Sequence, residues 1–344
     1  LAQFEDFAAF MLAIEPYGHE AGIVKIIPPQ EWTGSLPNIE PRLKQVRIRK
    51  PIIQEINGGG LPAGAYFQMN IEQRKTYSVQ DWFDYCSSPV YKPPLFDENG
   101  KAIFEQCGPK ENTPINFDIV KSSERFSPEY CADLERFYWR NITYVSPVYG
   151  ADMLGSLFDD QEVEEDSNGW NLARLDNLLN RVNVFLPGVN SPYLYFGMWK
   201  ATFAWHLEDM DLYSINYIHF GAPKQWYVVP PAHRQRFEAL AKSIFSDEAS
   251  NCPEFLRHKT CILSPKILAN HSIPMHRLVQ HAGEFVVTFP YGYHQGYNLG
   301  FNCAESVNFA LDSWVTVGKK ASYCHCISDS VKLDVAGIFD PQPE

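Results

Sequence analysis

Three residues in two aromatic stretches of the chain have the types and spacing of metal ligands. His206 and Glu208 are separated by one residue near the end of an apolar stretch that begins at Tyr193. Side chains at positions i and i+2 of an extended strand point to the same side, so these two could bind one ion together. His294 ends a second aromatic stretch that begins at Glu284. Two histidines and one carboxylate form the facial triad of non-haem iron(II) oxygenases, which leaves coordination positions open.

A His-x-Glu pair often occurs by chance, and the alternative is that these residues have only a structural role. Both side chains are costly to bury without a partner, yet they lie in a stretch too aromatic to be a solvated loop. The second histidine, His294, lies in similar surroundings. This repetition favours a metal site over the structural alternative.

The chain from Val189 onward predicts a β-rich body that would position these ligands. Short strands are expected at 193–199, in the stretch that ends at Glu208, and at 212–220, 225–229, 284–289 and 305–310, with a helix at 231–245. Many short antiparallel strands that enclose an ion at one end of a barrel predict a double-stranded β-helix, which is a jelly roll of cupin type. The predicted fold class is therefore mainly β with flanking helices (α+β).

The first part of the chain predicts elements that must dock on that body. Apolar residues between Phe4 and Ile14 follow helical spacing, and the Pro16–Gly18 segment is expected to end the helix. A short strand is expected within residues 22–29, closed by prolines. The basic stretch 42–50 is expected to be a solvated edge.

The middle of the chain is expected to combine loops with two helices. Residues 84–128 are rich in Pro, Asn and Ser and predict a long surface loop, and residues 159–167 predict an acidic loop. Ser127 is a predicted cap for a helix over 127–140. A second helix is expected over 170–179, with its leucines facing inward.

Composition limits the class of protein. Of 344 residues, 45% are apolar, which is enough for a substantial core. The chain has 29 basic and 41 acidic residues, and the resulting net charge of −12 argues against a general nucleic-acid surface and suits a basic partner. No apolar run approaches the ~20 residues that span a bilayer, and no signal peptide is recognisable at the start. The eight cysteines suggest a reducing compartment.

Three sequence segments closely resemble the JmjC histone lysine demethylases of the subfamily that acts on trimethyl-lysine. They are Tyr-Leu-Tyr-Phe-Gly-Met-Trp-Lys at 193–200, Ala-Trp-His-Leu-Glu-Asp at 204–209 and Phe-Pro-Tyr-Gly-Tyr-His-Gln-Gly-Tyr-Asn at 289–298. Residues 4–32 resemble the JmjN segment of that subfamily, whose first residues would precede Leu1. The resemblance implies a JmjN segment at 1–37, a mixed linker region at 38–148, a JmjC barrel at 149–323 and a C-terminal zinc-ligand segment with a helix at 324–344.

The resemblance implies Fe(II) on His206, Glu208 and His294, with 2-oxoglutarate as cosubstrate. Lys224 would pair with the far carboxylate of 2-oxoglutarate, although most lysines are surface residues. His219, which is close in sequence, is expected to be a buried structural residue. The other residues implied for the cosubstrate pocket are Tyr149, Phe203, Asn216 and Trp226.

A ring of oxygen atoms is implied for the methylated lysine, held by weak C–H···O contacts. Asp152 is expected to pair with a basic residue of the substrate. Val307 stands where animal members commonly have threonine, which leaves the preferred methylation state open. The alternative for Tyr195 and Ser306 is that they are ordinary strand residues. The implied ring consists of Gly188, Tyr195, Glu208, Ser306 and Asn308.

A second metal site is implied near the end of the chain. Three cysteines and one histidine suit a closed structural zinc site. Cys261 and His325 are near enough in sequence to be mistaken for ligands, and the alternative is a set of buried free cysteines. The implied ligands are Cys252, His258, Cys324 and Cys326.

The function implied is demethylation of tri- and dimethyl-lysine on histone H3, at lysine 36, lysine 9 or both, in chromatin and in the nucleus. The motif wording resembles fungal more than animal members, which favours lysine 36. No membrane association and no direct nucleic-acid site are expected. Two alternatives remain: a JmjC hydroxylase that leaves a stable hydroxyl on a protein side chain, and a non-catalytic chromatin-binding repressor.

Overall fold

The computed structural model describes residues 4–105, 114–116, 125–158, 169–326 and 330–339. A nine-stranded sheet has the order β1-β15-β11-β17-β9-β8-β3-β4-β13, and a four-stranded sheet has the order β10-β16-β12-β14. Two small ribbons, β2-β5 and β6-β7, complete the strands. The strands are β1 (Ile23–Ile26), β2 (Arg47–Arg49), β3 (Ile52–Asn57), β4 (Ala65–Glu72), β5 (Thr76–Ser78), β6 (Leu95–Phe96), β7 (Ala102–Ile103), β8 (Val148–Leu154), β9 (Tyr193–Gly197), β10 (Thr202–His206), β11 (Tyr213–Gly221), β12 (Lys224–Val229), β13 (Cys261–Leu263), β14 (His276–Gln280), β15 (Phe285–Thr288), β16 (Tyr293–Asn298) and β17 (Asn302–Phe309).

The helices of the described residues lie mainly before, between and after the barrel strands. Several of them are short, with only one or two turns. They are α1 (Phe7–Ala21), α2 (Gln30–Ser35), α3 (Glu40–Leu43), α4 (Val79–Cys86), α5 (Pro128–Asn141), α6 (Arg234–Ile244), α7 (Ser246–Asn251), α8 (Pro265–Asn270), α9 (Trp314–Gly318) and α10 (Val335–Phe339). Ser127 accepts a hydrogen bond from the backbone of Tyr130 and caps α5, as predicted.

Neighbouring strands in the two large sheets are antiparallel, as a jelly roll requires, and the predicted fold class is confirmed. The smaller sheet carries both candidate histidine ligands. β10 pairs with β16, and this register places His206 directly opposite His294. An irregularity in pairing between Phe203 and His206 changes the local register just before the first ligand.

The N-terminal segment docks on the barrel as an edge strand and a helix. β1 pairs with β15 over four residues, so the chain start extends the larger sheet. The Phe4 ring stacks on Trp170 at 4.1 Å, and Phe7 and Met11 are buried beside it. Phe289 packs directly on Gly18, where an added Cβ would lie 2.0 Å from the ring. This packing supplies a stable position for a segment that could not fold alone.

The prediction that Pro16 to Gly18 ends the first helix is wrong. The helix continues through Pro16 to Ala21 and ends at Gly22, which adopts φ +82° and donates its N–H to the Gly18 carbonyl. Proline in a helix interior removes one hydrogen bond, the one to the carbonyl of residue i−4. That residue is Leu12, which is 70% exposed, so water can replace the lost donor.

The predicted helix over 170–179 is also wrong. Two 3₁₀ turns occupy Leu172–Arg174 and Leu178–Arg181. The side chains of Asn171 and Asn177 accept hydrogen bonds from Ala173 and Leu179 and start each turn separately, because asparagine competes with the helical backbone. The leucines of this segment are nevertheless buried, as expected.

The long loop predicted at 84–128 contains regular structure at its start and in its interior. α4 extends to Cys86, and β6 and β7 form a hairpin whose turn is closed by a hydrogen bond from the Gly100 N–H to the Asp97 carbonyl. Residues 106–113 and 117–124, and the predicted acidic loop 159–167, lie outside the described residues. In the part of the chain that the structure describes, no helix has the length and apolar character needed to cross a membrane.

Candidate active site and metal clusters

His206, Glu208 and His294 converge at one end of the four-stranded sheet. Their nearest ligand atoms all lie within 4.8 Å of one another. Glu208 Oε1 is 3.1 Å from His294 Nε2 and 3.9 Å from His206 Nε2. His206 ends β10, His294 lies in β16, and Glu208 follows β10 in an extended conformation. The i, i+2 relation expected from the sequence is therefore realised across the strand end.

Backbone carbonyl groups fix which nitrogen of each histidine is free. His206 Nδ1 is 2.7 Å from the Ala204 carbonyl, and His294 Nδ1 is 3.0 Å from the Gly292 carbonyl. Because a carbonyl only accepts, each Nδ1 carries the proton and each Nε2 keeps a lone pair directed at the cluster. This arrangement is typical of histidines that ligate a metal ion.

The charges of the cluster also suit a cation. Burial, with His294 close by, holds the pKa of His206 well below its usual range, so the ring is neutral at neutral pH. Burial opposes ionisation of Glu208, but the nearby His294 and His206 hold its pKa below the usual range. Two imidazoles and one carboxylate are the donor set that non-haem iron(II) sites use.

The three residues open into a cavity of about 720 Å³. Every residue that the sequence analysis singled out for cosubstrate or substrate lines this cavity. These residues come from different strands and from the segment before β9, and they are Tyr149, Asp152, Gly188, Tyr195, Phe203, Asn216, Lys224, Trp226, Ser306 and Asn308.

Lys224 is a buried cation deep in the cavity. Its side chain is 2% exposed, and its Nζ donates to Asn298 Oδ1 at 2.8 Å and to the Tyr149 hydroxyl at 3.2 Å. Burial lowers the pKa of Lys224 to about 7. Among the described residues, no carboxylate forms an ion pair with it. A bound anion would therefore complete this site.

Apolar rings and one unpaired amide surround that lysine. The Phe203 and Trp226 rings meet at 4.8 Å, and Trp226 Nε1 donates to Gln280 Oε1. Asn216 Oδ1 is buried and has no hydrogen-bond partner in the described residues. Because buried polar atoms are rarely left unpaired, this atom indicates a partner supplied by a ligand or by water.

The residues predicted for the methylated lysine line the same cavity as the ligand cluster. Gly188 has φ +75°, and an added Cβ would lie 2.3 Å from the Tyr193 ring, so only glycine fits. Burial, with Asp152 nearby, raises the pKa of the Tyr195 hydroxyl well above its usual range. The Ser306 hydroxyl donates to the Ile215 carbonyl, which leaves its oxygen lone pairs available.

Asn308 has a contact that the sequence did not predict. Its amide donates to Glu208 Oε2 at 3.0 Å and to the Tyr213 carbonyl at 3.0 Å. It therefore orients the carboxylate ligand, and only its Oδ1 remains for a substrate. Asp152 has φ +57° and lines the cavity.

His219 lies outside the cavity, as expected for a structural residue. Its side chain is 4% exposed, and its Nε2 is 2.8 Å from Glu305 Oε2. Glu305 is fully buried and also accepts hydrogen bonds from the Ser156 hydroxyl and the Leu157 N–H. This network ties the segment after β8 to β17.

A second cluster brings together Cys252, His258, Cys324 and Cys326, whose ligand atoms lie within 4.8 Å of one another. His258 Nε2 is 3.1 Å from Cys324 Sγ, and Cys252 Sγ is 3.6 Å from it. Burial opposes ionisation of Cys324, but hydrogen bonds from Cys326 and His258 lower its pKa to about 7. These residues could hold a metal ion. Cys261 in β13 and His325, which contacts the Tyr323 ring, are not members.

Comparison with known protein families matches residues 193–309 to the JmjC domain, described as a hydroxylase, and residues 1–28 to the jmjN domain. The chain belongs to the JmjN/JmjC family. Curated relatives include lysine-specific demethylase 4B of Mus musculus, 44% identical over 97% of this chain, and lysine-specific demethylase 4D of Rattus norvegicus, 43% identical over 99%. Probable lysine-specific demethylase 4F of Homo sapiens is 42% identical over 95% of the chain. The chain spans 27%, 60% and 45% of the lengths of these relatives, respectively.

The JmjC cavity also contains polar residues that sequence reasoning missed. Ser214 precedes Asn216 by two positions in β11 and shares its face, so strand periodicity could have found it. Lys259 follows the cluster residue His258 and has φ +56°. Partial desolvation in the cleft opposes its charge, but the carboxylates of Asp209, Glu208 and Asp152 raise its pKa. No sequence motif indicated this contact, because it depends on how β10 and the turn before β13 pack.

Proposed function

We propose that this chain is an Fe(II)- and 2-oxoglutarate-dependent dioxygenase that removes methyl groups from tri- and dimethyl-lysine of histone H3, at lysine 36 and/or lysine 9. The products would be formaldehyde, succinate and CO₂. The observation that carries the proposal is that one cavity contains both the metal-ligand cluster (His206, Glu208 and His294) and Lys224. This lysine is buried and has no carboxylate partner among the described residues. Relatives named as lysine-specific demethylases over nearly the whole chain support it.

The proposed cosubstrate roles follow from the polar and apolar sides of the cavity. Lys224 and Tyr149 would hold the far carboxylate of 2-oxoglutarate. Asn216 lines the cavity, and its Oδ1, which has no hydrogen-bond partner among the described residues, could orient the cosubstrate through a water molecule. Phe203 and Trp226 would flank the methylene groups. The bound iron would supply the oxidation chemistry that acts on an N-methyl group. The chain's own residues exclude bulk water and fix the orientation of both substrates.

The proposed lysine site would hold a methylated ammonium by contacts with oxygen atoms. The hydroxyls of Tyr195 and Ser306, the Gly188 carbonyl, Glu208 and Asn308 Oδ1 would form this ring. Asp152 would pair with a basic residue of the histone tail. The net charge of −12 of this chain favours binding of such a basic partner. The proposed location is the chromatin of the nucleus.

We also propose that Cys252, His258, Cys324 and Cys326 hold a structural zinc ion. We further propose that the chain is divided into a JmjN segment (1–37), a linker (38–148), a JmjC barrel (149–323) and a C-terminal zinc segment (324–344). Four soft or borderline ligands with no open position suit structural zinc. The cluster joins residues on both sides of the last barrel strands, so zinc would connect the C-terminal segment to the barrel.

Cys324→Ser is expected to lose the zinc ion and to lower the midpoint of thermal unfolding by roughly 10 °C, because metal binding free energy contributes directly to folding. Elemental analysis of the purified protein and circular dichroism would measure both. Cys261→Ser is the matched control, because Cys261 is also buried and lies close to His258 in the sequence but does not belong to the cluster. Full zinc occupancy in Cys324→Ser would refute the assignment.

The test of the proposed function uses histone H3 peptides trimethylated at lysine 9 or lysine 36. Each is incubated with the protein, Fe(II), ascorbate and 2-oxoglutarate, with a control that lacks 2-oxoglutarate, and is analysed by mass spectrometry. Stepwise loss of one CH₂ mass per methyl group, dependent on 2-oxoglutarate, is expected. Gain of one oxygen mass would indicate the hydroxylase instead. No change of either peptide, with iron bound, would refute demethylation at these sites.

A further inference from the structure

A row of basic side chains lies on an exposed edge of the molecule. β2 and β5 form an antiparallel ribbon in which Arg47 lies opposite Ser78 and Arg49 opposite Thr76. Arg47 and Arg49 are exposed on either side of the buried Ile48, so they extend from the same face of the strand. The ribbon thereby brings together two basic segments that are separate in the sequence. We call this set the basic edge, and its exposed members are Lys44, Arg47, Arg49, Lys50, Arg74 and Lys75.

Most of this charge is available to a partner. Lys50 Nζ is 3.0 Å from Glu72 Oε1, but the two side chains are 69% and 54% exposed, and such surface pairs contribute little. Among the described residues, no ion pair involves Arg49 or Arg74. The basic edge is therefore a local positive surface on a chain whose net charge is −12.

Asp81, an acidic residue in the first turn of α4 next to the ribbon, is already engaged in other contacts. Asp81 lies near Arg47 and Lys75, but its Oδ2 accepts hydrogen bonds from both the backbone and the hydroxyl of Ser78 at the start of α4. It therefore lowers the local positive charge. Arg47 donates from Nη1 to the Lys44 and Val46 carbonyl groups, which are neutral and leave its positive charge in place.

The basic edge borders the proposed substrate site. A second cavity, of about 660 Å³, is lined by Arg47, Arg49 and Lys50 on one side and by the 151–156 segment on the other. Asp152 lines both this cavity and the one that contains the metal cluster. A macromolecule whose tail enters the active site would thus pass close to the basic edge.

We propose that the basic edge binds the phosphate backbone of duplex DNA. A basic histone tail would be repelled by it, whereas a polyanion presents charge continuously along a row of cations. Two arginines on an extended strand are roughly 7 Å apart, which suits contacts with successive phosphates better than a single buried anion. The proposed function supplies the source of the DNA, because a histone tail in a nucleosome lies beside it. This differs from the expectation, based on total charge, that no nucleic-acid site is present.

The test compares Arg47→Glu/Arg49→Glu with Lys266→Glu/Lys320→Glu. This control changes the net charge equally at two exposed lysines, one in α8 and one after α9. Binding of a fluorescein-labelled DNA duplex is measured by anisotropy at several salt concentrations. The edge variant should bind about tenfold more weakly, and its dependence on log salt should fall by about two, roughly one for each lost phosphate contact. The control should bind like the unsubstituted protein.

Activity provides an independent measurement. Peptide demethylation by the edge variant should be unchanged, whereas demethylation of nucleosomes should fall. Absence of duplex binding by the unsubstituted protein, equal weakening in both variants, or preference for a phosphopeptide over DNA would overturn the inference. If the protein binds duplex through Arg47 and Arg49 but modifies no peptide, the proposed function fails and the DNA site remains.

Discussion

His206→Ala is expected to reduce demethylation to below about one hundredth of the unsubstituted rate and to leave the fold intact. Substitution of groups that only orient a metal ligand already costs roughly 10–100-fold, so removal of a ligand should cost more. His206 lies directly opposite His294 in the sheet, and among the described residues no fourth histidine, cysteine or carboxylate belongs to the cluster. Turnover of the methylated peptide and iron content of the purified protein would be measured together.

The matched control for this variant is His271→Ala, which removes an exposed histidine after α8. It should retain both iron and turnover. The two variants should have similar far-ultraviolet circular dichroism, because His206 contributes ligand atoms rather than a main part of the core. Normal turnover of the peptide by His206→Ala would refute the iron assignment.

Lys224→Met is expected to raise the KM for 2-oxoglutarate by at least about a hundredfold while iron binding is retained. Methionine preserves most of the volume but removes the charge that would pair with the far carboxylate. Breaking a buried ion pair costs about 3–5 kcal/mol, and each 1.4 kcal/mol is roughly tenfold in affinity. Succinate formation as a function of 2-oxoglutarate concentration would give the KM.

Lys200→Met is the matched control, because Lys200 is a second buried lysine with a different role. Its Nζ donates to the backbone carbonyls of Asn141 and Tyr144, and burial lowers its pKa to about 8. This variant should lose stability, seen as a lower unfolding midpoint, while the KM for 2-oxoglutarate is maintained. Equal KM values for Lys224→Met and the unsubstituted protein would contradict the cosubstrate assignment.

Burial lowers the pKa of Lys224 to about 7, and this adds a pH dependence to cosubstrate binding. A dicarboxylate favours the charged lysine, so its binding raises this pKa and takes up a proton. Affinity for 2-oxoglutarate should therefore be highest below pH 7 and fall as pH rises above it, by up to about tenfold per pH unit. Calorimetry in two buffers of different ionisation enthalpy would detect the proton uptake, which Lys224→Met should lack.

The barrel strands were predictable because their local signal agrees with their tertiary position. β12 and β15 are buried along their whole length, and β11 is buried at every position except His219. All three are rich in aromatic and β-branched residues, so burial and propensity favour the same conformation. Where local signals compete with packing, prediction failed. Pro16 signals a helix end, but Gly18 packs under Phe289 only if the helix continues.

The two 3₁₀ turns after Trp170 show the opposite failure. Leucine spacing indicated one helix, whereas Asn171 and Asn177 each accept a backbone hydrogen bond that begins a new turn. The apolar residues were correctly placed in the core, since burial depends on side-chain chemistry. The path of the backbone between them depended on side-chain hydrogen bonds that periodicity does not describe.

By itself, the sequence determined which residues could do chemistry, because residue types and short motifs can be recognised within a short stretch of the chain. His206, Glu208, His294 and Lys224 were identified in this way. The tertiary structure decided what surrounds them: the free Nε2 atoms directed by carbonyl groups, the amide of Asn308 on Glu208, the unpaired Asn216 and Lys259 at the cavity wall. It also joined two distant basic segments through β2 and β5. Such contacts arise from pairing between residues far apart in the chain, and no local pattern encodes them.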